Sequence, residues 1–214
     1  MSQTPQPCLL YHFVHLDTLS AIVATGELLS TNRLAEQQEG PALDIASSSL
    51  QRRRARTRVS LGGTLHDYVP FYFAPRSPML YRIGKEWEQA GGPDTRDLVY
   101  LVSSVEQVEA HGLAFTFSLY HAVTRPNAFL TDPDDLHRVD WPLMRSRMWT
   151  DTRDDNDRQR RRQAEFLVRD RLPLSALEGF AAFDEDRADR VAALIDGHGL
   201  DLRGKPMPEW YFTP

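Results

Sequence analysis

Gly62–Tyr81, GGTLHDYVPFYFAPRSPMLY, is the stretch on which the fold turns. Within it Tyr68-Val69-Pro70-Phe71-Tyr72-Phe73 is expected to form a short strand, because β-branched and aromatic side chains fit a pleated surface. Pro70 has no ladder N–H, so the strand should lie at an edge or start late. Ala74-Pro75-Arg76-Ser77-Pro78-Met79 should be irregular, since each proline fixes its own φ and restricts the residue before it. The outcome is a stiff, aromatic-lined loop presenting Arg76 and Tyr81. It is either a proline-rich corner packed on the core, with Arg76 pinned by an acid such as Asp67, or a binding surface. The Arg52–Arg58 cluster just upstream favours the surface.

Composition bounds the rest. A chain of 214 residues, 41% hydrophobic and 26% charged, reads as one domain over residues 1–214 with a sizeable core. It has no 18-residue apolar run, and MSQTPQPCLL lacks the basic and apolar regions of a signal peptide. The cytoplasm is therefore the expected compartment, with no membrane partner. A lone cysteine, Cys8, excludes an internal disulfide and a multi-cysteine zinc site. The net charge of −5 argues against a uniformly basic nucleic-acid coat. Of 25 basic residues only Lys85 and Lys205 are lysines, which leaves 23 arginines. A GC-rich genome encodes arginine anyway. Arginine is also the residue that grips phosphate with a planar fork and stacks on bases. It gathers at Arg52–Arg58 and Arg158–Arg162, with aspartates at Asp132–Asp135, Asp151–Asp157 and Asp184–Asp189. That pattern allows a local basic groove on an acidic body.

Leu9–Val14 reads as a strand ending at His15. Asp17 can cap a helix with Leu19, Ile22 and Val23 on one face and Gly26 at its end. His12 and His15 lack a convincing third metal ligand, so core or capping roles suit them better than zinc. Asp44 can cap a helix running through Ile45, Ala46 and Leu50 into the arginines. On it Arg52 and Arg56 share a face while Arg53 and Arg54 point elsewhere, so at least one arginine turns inward or along a cleft rim. Leu98–Val102, the most apolar run, should be a central strand. Ser103 or Ser104 then caps a helix to Gly112, and Leu113–Phe117 is a further strand with His121 just beyond. Short helices are expected at Asp134–Arg138 and Pro142–Trp149. Gln163–Val168 reads as a strand with Gln163, Glu165 and Leu167 on one side. A carboxylate on the same side as a leucine is either paired with an arginine or catalytic, and pairing is the commoner case. In the C-terminal third, Leu174–Leu177 reads as a helix, Phe180–Phe183 as a strand, Arg187–Ile195 as a helix ended by Gly197, and Trp210–Phe212 as a strand docked on the sheet. The chain contains no GxGxxG and no P-loop.

Tyr11-His12, the arginine run, VPFYFAPRSPMLY, the strand before Ser103-Ser104 and RRQAEFLV, in that order, resemble the DarT toxins. These are bacterial DNA ADP-ribosyltransferases encoded beside a macrodomain antitoxin (DarG-like), and the likeness runs from about Leu10 to Tyr211. The resemblance implies an α+β ADP-ribosyltransferase-like fold, a split mixed β-sheet with flanking helices. It implies NAD as ADP-ribose donor, no metal, and transfer to a thymine ring nitrogen (N3) in single-stranded DNA. Carried over by position, His12, Phe13, Val14, Ala21 and Leu29 line the NAD site. Arg54 matches the catalytic arginine, with Arg53 the adjacent candidate, on a segment closing over NAD. Residues 121–165 match the substrate-recognition loop, with His121 at one end and the catalytic glutamate, Glu165, at the other. Arg76, Ser77, Pro78, Met79, Leu80 and Tyr81 match the DNA-contacting stretch. Family members often carry threonine where this chain has Val14; if that hydroxyl bonds NAD, backbone groups must replace it here. The resemblance makes Arg54 the proton acceptor, although arginine is a poor base at its ordinary pKa. Transfer to protein or RNA, and a metal-dependent nuclease built on His12, His15 and the aspartates, are the alternatives.

Overall fold

The computed structural model describes residues 3–37 and 47–212. Its strands are β1 (Leu9–His15), β2 (Glu27–Leu29), β3 (Tyr68–Tyr72), β4 (Leu98–Ser104), β5 (Phe115–Ser118), β6 (Phe129–Leu130), β7 (Glu165–Arg169), β8 (Arg171–Pro173), β9 (Leu177–Ala182) and β10 (Gly204–Pro206). Its α-helices are α1 (Leu16–Thr25), α2 (Thr31–Glu36), α3 (Ser48–Arg56), α4 (Pro78–Ala90), α5 (Val105–Ala110), α6 (Trp141–Arg145), α7 (Arg158–Arg161) and α8 (Glu185–Asp196). Eight strands form one sheet in the order β10-β9-β4-β1-β3-β7-β5-β6, and β2 pairs with β8 in a small second ladder. Only β9 and β10 run parallel, which makes the large sheet mixed.

The split falls between β1 and β3. β1 pairs with β4 from Leu9↔Ser104 to His15↔Leu98, and β3 pairs with β7 from Tyr68↔Arg169 to Tyr72↔Glu165. β1 and β3 meet at a single pair, Tyr11↔Tyr72. Pro70 therefore sits in an interior strand that behaves as an edge, because it cannot donate to a ladder. The His12 side chain takes the place of one rung: its Nδ1–H donates to the Pro70 carbonyl at 2.7 Å.

One face of the sheet carries the larger core, with Leu10, Val14, Phe71, Val99, Leu101, Phe166 and Val168 packed beneath α1, α5 and α8. The other face carries two smaller clusters. Phe13, Tyr100 and Val102 pack with Leu80 and Ile83 of α4. Tyr68 and Leu167 pack with Leu50 of α3 and with Ala122. Along β3 this face passes from one cluster to the other between Tyr68 and Tyr72, and Glu165 is the cross-strand partner of Tyr72. The cleft is this gap in the core.

Several expectations need correction. The proline loop is shorter than expected: Ser77 caps α4, its Oγ accepting from Leu80 N, and Pro78 opens the helix. Proline suits a first helical position because the N–H it lacks would have no partner there. His15 rather than Asp17 caps α1, accepting from the Asp17 N–H at 3.2 Å. The expected Asp44 cap and residues Ile45 and Ala46 lie outside the described residues; α3 as described starts after a Ser47 cap. Trp210–Phe212 forms no strand. The chain turns through Pro208–Trp210 and buries Tyr211, whose hydroxyl donates to Leu98 O, while β10 is the edge strand.

Candidate active site

α3 brings an arginine into the cleft by simple periodicity. Leu50 and Arg54 are one turn apart and are the buried residues of the helix, whereas Arg52, Arg53 and Arg56 are exposed. Leu50 anchors the helix in the core, so Arg54, 9% exposed, must point the same way. Among the described residues, Arg53 reaches only the Val123 carbonyl, at 3.4 Å. Glu165 opens β7 on the Leu167 side and is 1% exposed. His121 and Ala122 follow β5, their carbonyls both held by Asn127 Nδ2.

These elements converge on the carboxylate. Arg54 Nη1 donates to Glu165 Oε2 at 2.8 Å. The Ala122 N–H donates to Oε1 at 2.8 Å, and His121 Nδ1 lies 2.8 Å from the same oxygen. A carboxylate only accepts, so His121 carries its proton on Nδ1 and turns Nε2 away from the glutamate. Burial alone would raise the Glu165 carboxyl, but the charge of Arg54 and the hydrogen bonds from Arg54 and His121 outweigh it and hold it far below the usual carboxylate range. Glu165 is thus a buried, ionised carboxylate with both oxygens engaged. Arg54 Nη2 is also buried and has no hydrogen-bond acceptor among the described residues. A spare guanidinium donor beside an ionised carboxylate suits a phosphate or another anionic oxygen.

Residues 11–212 match the family model described as "ssDNA thymidine ADP-ribosyltransferase, DarT". The chain belongs to the DarT family. A DNA ADP-ribosyl transferase of Thermus sp. (strain 2.9) is 36% identical over 213 residues, spanning 97% of this chain and 98% of that protein. Thermus sp. 2.9 DarT in complex with ADP-ribosylated ssDNA has a TM-score of 0.88 at 33% identity, covering 99% of this chain and 100% of that one. The same protein in complex with NAD+ has a TM-score of 0.82 at 31% identity, covering 98% and 100%.

The DarT-matched NAD-site positions fall into two groups. His12, Phe13 and Val14 border the split. Beyond Tyr11, among the described residues, no strand is laddered to the edge of β1 that faces β3, so backbone groups there are open to a ligand. Burial, opposed by the Pro70 carbonyl and aided by the charge of Arg54, pushes the His12 imidazole below its usual value, so the ring is neutral. Ala21 and Leu29 lie elsewhere, on the exposed side of α1 and at the end of β2 opposite Arg171. His12 and His15 stand on opposite faces of β1: His12 reaches Pro70, and His15 packs edge-on to Trp87. They do not form a metal pair. Among the described residues no three His, Cys, Asp or Glu side chains are grouped to hold a metal. No described helix is long and apolar enough to cross a membrane.

Along the DarT-matched DNA stretch, Tyr81 is 43% exposed, and Phe212 and Trp149 hold its ring edge-on at 5.2 and 6.0 Å. Leu80 is core and Met79 accepts the Tyr72 hydroxyl at 3.1 Å. Arg76 does not pair with Asp67, which instead accepts from Thr64 and Asn32. Arg76 adopts φ +54, sends Nη1 to the carbonyls of Glu209 and Tyr211, and lies 4.3 Å over the Phe212 ring. Arg76→Ala is therefore expected to loosen the C-terminal segment and cost roughly 1–3 kcal/mol. Melting temperature and the rate of proteolysis near residue 209 measure this, and no change in either would refute the anchor. The second arginine cluster is mostly internal bracing. Arg161 meets Asp140 and Asp155, Arg160 lies over Tyr120, and Arg158 holds the carbonyls of Met148 and Thr150.

The Ala122 N–H and the spare donor of Arg54 were not visible in the sequence. A backbone amide has no residue-type signal, and the second nitrogen is defined only by where the first one goes.

Proposed function

We propose that this chain cleaves NAD at the nicotinamide–ribose bond and places ADP-ribose on N3 of a thymine in single-stranded DNA. The observation that carries this reading is the buried Arg54–Glu165–His121 cluster. As the glycosidic bond breaks, its electron pair leaves with nicotinamide, which departs neutral, and the ribose becomes oxocarbenium-like. An ionised Glu165 stabilises charge that exists only near the transition state, and it can accept a ribose hydroxyl. The free donor of Arg54 suits a pyrophosphate oxygen or the thymine ring anion. Arginine stays protonated, so Arg54 acts by charge and His121 Nε2 is the better acceptor for the proton that N3 loses as the N3–C1′ bond forms. Open backbone groups at His12–Val14 hold NAD without a threonine hydroxyl. Tyr81, exposed on the first turn of α4 with Met79 beside it, is the stacking edge for single-stranded DNA, whose bases need little unstacking, while Ser77 and Pro78 are buried.

In this reading residues 1–214 act as a single cytoplasmic catalytic domain, a toxin restrained by a macrodomain antitoxin. Incubation with NAD and a thymidine oligonucleotide should add one ADP-ribose mass to a thymidine and release nicotinamide. Labelling of protein or RNA with the oligonucleotide untouched would overturn the DNA assignment.

A further inference from the structure

The hairpin of β5 and β6 flanks the buried glutamate. Its strands pair at Phe117↔Leu130 and Ser118↔Phe129, and Ser118 is also the cross-strand partner of Glu165. The connection leaves β5 towards His121 and returns to β6 through Asn127, so the register brings those two residues back together. β6 is anchored in its turn: Ser60 Oγ donates to Phe129 O at 3.2 Å, and Thr116 Oγ1 to Leu130 O at 2.8 Å.

Asn127, half-buried, spends its amide on one turn. Nδ2 donates to the His121 carbonyl at 3.2 Å and to the Ala122 carbonyl at 3.4 Å. A carbonyl only accepts, so the amide nitrogen and not its oxygen faces both. The next carbonyl, Val123 O, accepts from Arg53. Three successive carbonyls are thus held by side-chain donors. The peptide between His121 and Ala122 is planar and trans, so its C=O and N–H point in opposite directions. Holding His121 O on Asn127 therefore aims the Ala122 N–H at Glu165 Oε1, which it meets at 2.8 Å. The same anchor fixes the backbone from which His121 Nδ1 reaches that oxygen. Ala122 is 0% exposed, so water cannot stand in for a donor that Oε1 loses. The Thr124 N–H also donates to His121 O, at 2.8 Å, which leaves the turn one hold when Asn127 is removed.

We propose that Asn127 is a positioning residue for the reaction: its two carbonyl bonds fix the His121–Ala122 peptide, and with it the Ala122 N–H and the His121 ring, against Glu165. This rests on the ADP-ribose transfer reading above and adds to it the side chain that keeps the donors of the glutamate in line.

The test compares Asn127→Asp and Asn127→Ala with wild type. Asn127→Asp keeps the shape, loses both donors and turns a carboxylate towards two carbonyls. In protein labelled isotopically at alanine nitrogen, the Ala122 amide is the signal that disappears in Ala122→Gly. In wild type its proton should lie far downfield and exchange slowly, being bonded to an ionised carboxylate. In both Asn127 variants it should move upfield and exchange at least ~10-fold faster. Turnover of a thymidine oligonucleotide should fall roughly 10- to 100-fold in kcat with KM for NAD unchanged, because displacing reacting groups by about 1 Å costs that much. The melting temperature should drop by only about 2–4 °C. A mere spacer gives the opposite ranking: the isosteric Asn127→Asp would match wild type and only Asn127→Ala would suffer. That ranking, or an Ala122 signal unchanged in Asn127→Asp, overturns the proposal. A shifted signal with wild-type kcat overturns it too, since the peptide would then be held without consequence for the reaction. A wild type that never modifies thymidine overturns the function reading itself, and the Ala122 signal alone then decides whether Asn127 aims the peptide.

Discussion

Replacing Glu165 with glutamine is expected to slow ADP-ribose transfer by ~10²–10³ and also to lower the melting temperature. The first effect follows from losing a negative charge that meets the oxocarbenium-like ribose. The second follows from Arg54, whose guanidinium is buried against Glu165 Oε2. Removing one partner of such a pair leaves an uncompensated buried charge, at a cost of roughly 3–5 kcal/mol. The two roles separate in the double variant Arg54→Met/Glu165→Leu, which should regain stability and remain inactive. Acid adds a third readout. The folded Glu165 carboxyl lies below its usual value, so the pair's stabilisation is complete above the ordinary glutamate pKa of about 4.3 and is lost as pH falls through the folded value. Urea midpoints through the acid range should therefore fall less steeply in Glu165→Gln than in wild type. Wild-type turnover in Glu165→Gln would sink the catalytic assignment, whatever its melting temperature.

What the sequence made legible was what local pattern controls. LVYLV, residues 98–102, is apolar at successive positions because β4 is buried on both faces, and all of the strand's residues are buried. Glu165 could be placed on the Leu167 side because alternation along a strand is rigid. Its pairing with an arginine, the commoner fate for such a carboxylate, is what the structure contains. Arg54 could only be narrowed to a neighbourhood. Which arginine turned inward depended on Leu50 being the anchor, and the expected Asp44 cap gave no such phase. Two prolines hide the start of α4 by suggesting irregular backbone, although Ser77-Pro78 is also a helix-start pair. The three aromatics at the C-terminus suggest a strand that does not form. Their burial comes instead from rings packed edge-on, such as Tyr100 against Trp210 and Tyr211. Aromatic content specified burial there but not backbone pairing.

Arg54 carries the second large effect, and lysine is its sharpest probe. Arg54→Ala should reduce transfer by at least ~10² and destabilise the fold, since it leaves Glu165 ionised and buried with only His121 and the Ala122 N–H. Arg54→Lys restores a cation beside Glu165 and should recover most of the lost melting temperature. It should not recover activity. The native guanidinium binds Glu165 through Nη1 while Nη2 is a buried donor with no acceptor among the described residues, and a planar fork serves two acceptors at a fixed spacing. An ammonium on a flexible stem keeps the charge and loses that spacing. Arg52→Ala, on the exposed face of α3, should stay within about 0.5 kcal/mol of wild type. Arg53→Ala should fall between them, having a single 3.4 Å bond to Val123 O to lose. Melting curves and NAD titrations on the four variants decide the matter. Full activity in Arg54→Lys would mean that charge alone suffices and the spare donor is irrelevant. If Arg53→Ala were as inactive as Arg54→Ala at unchanged stability, the residue that meets NAD would be Arg53, and Arg54 would be only the counter-ion that keeps Glu165 in place.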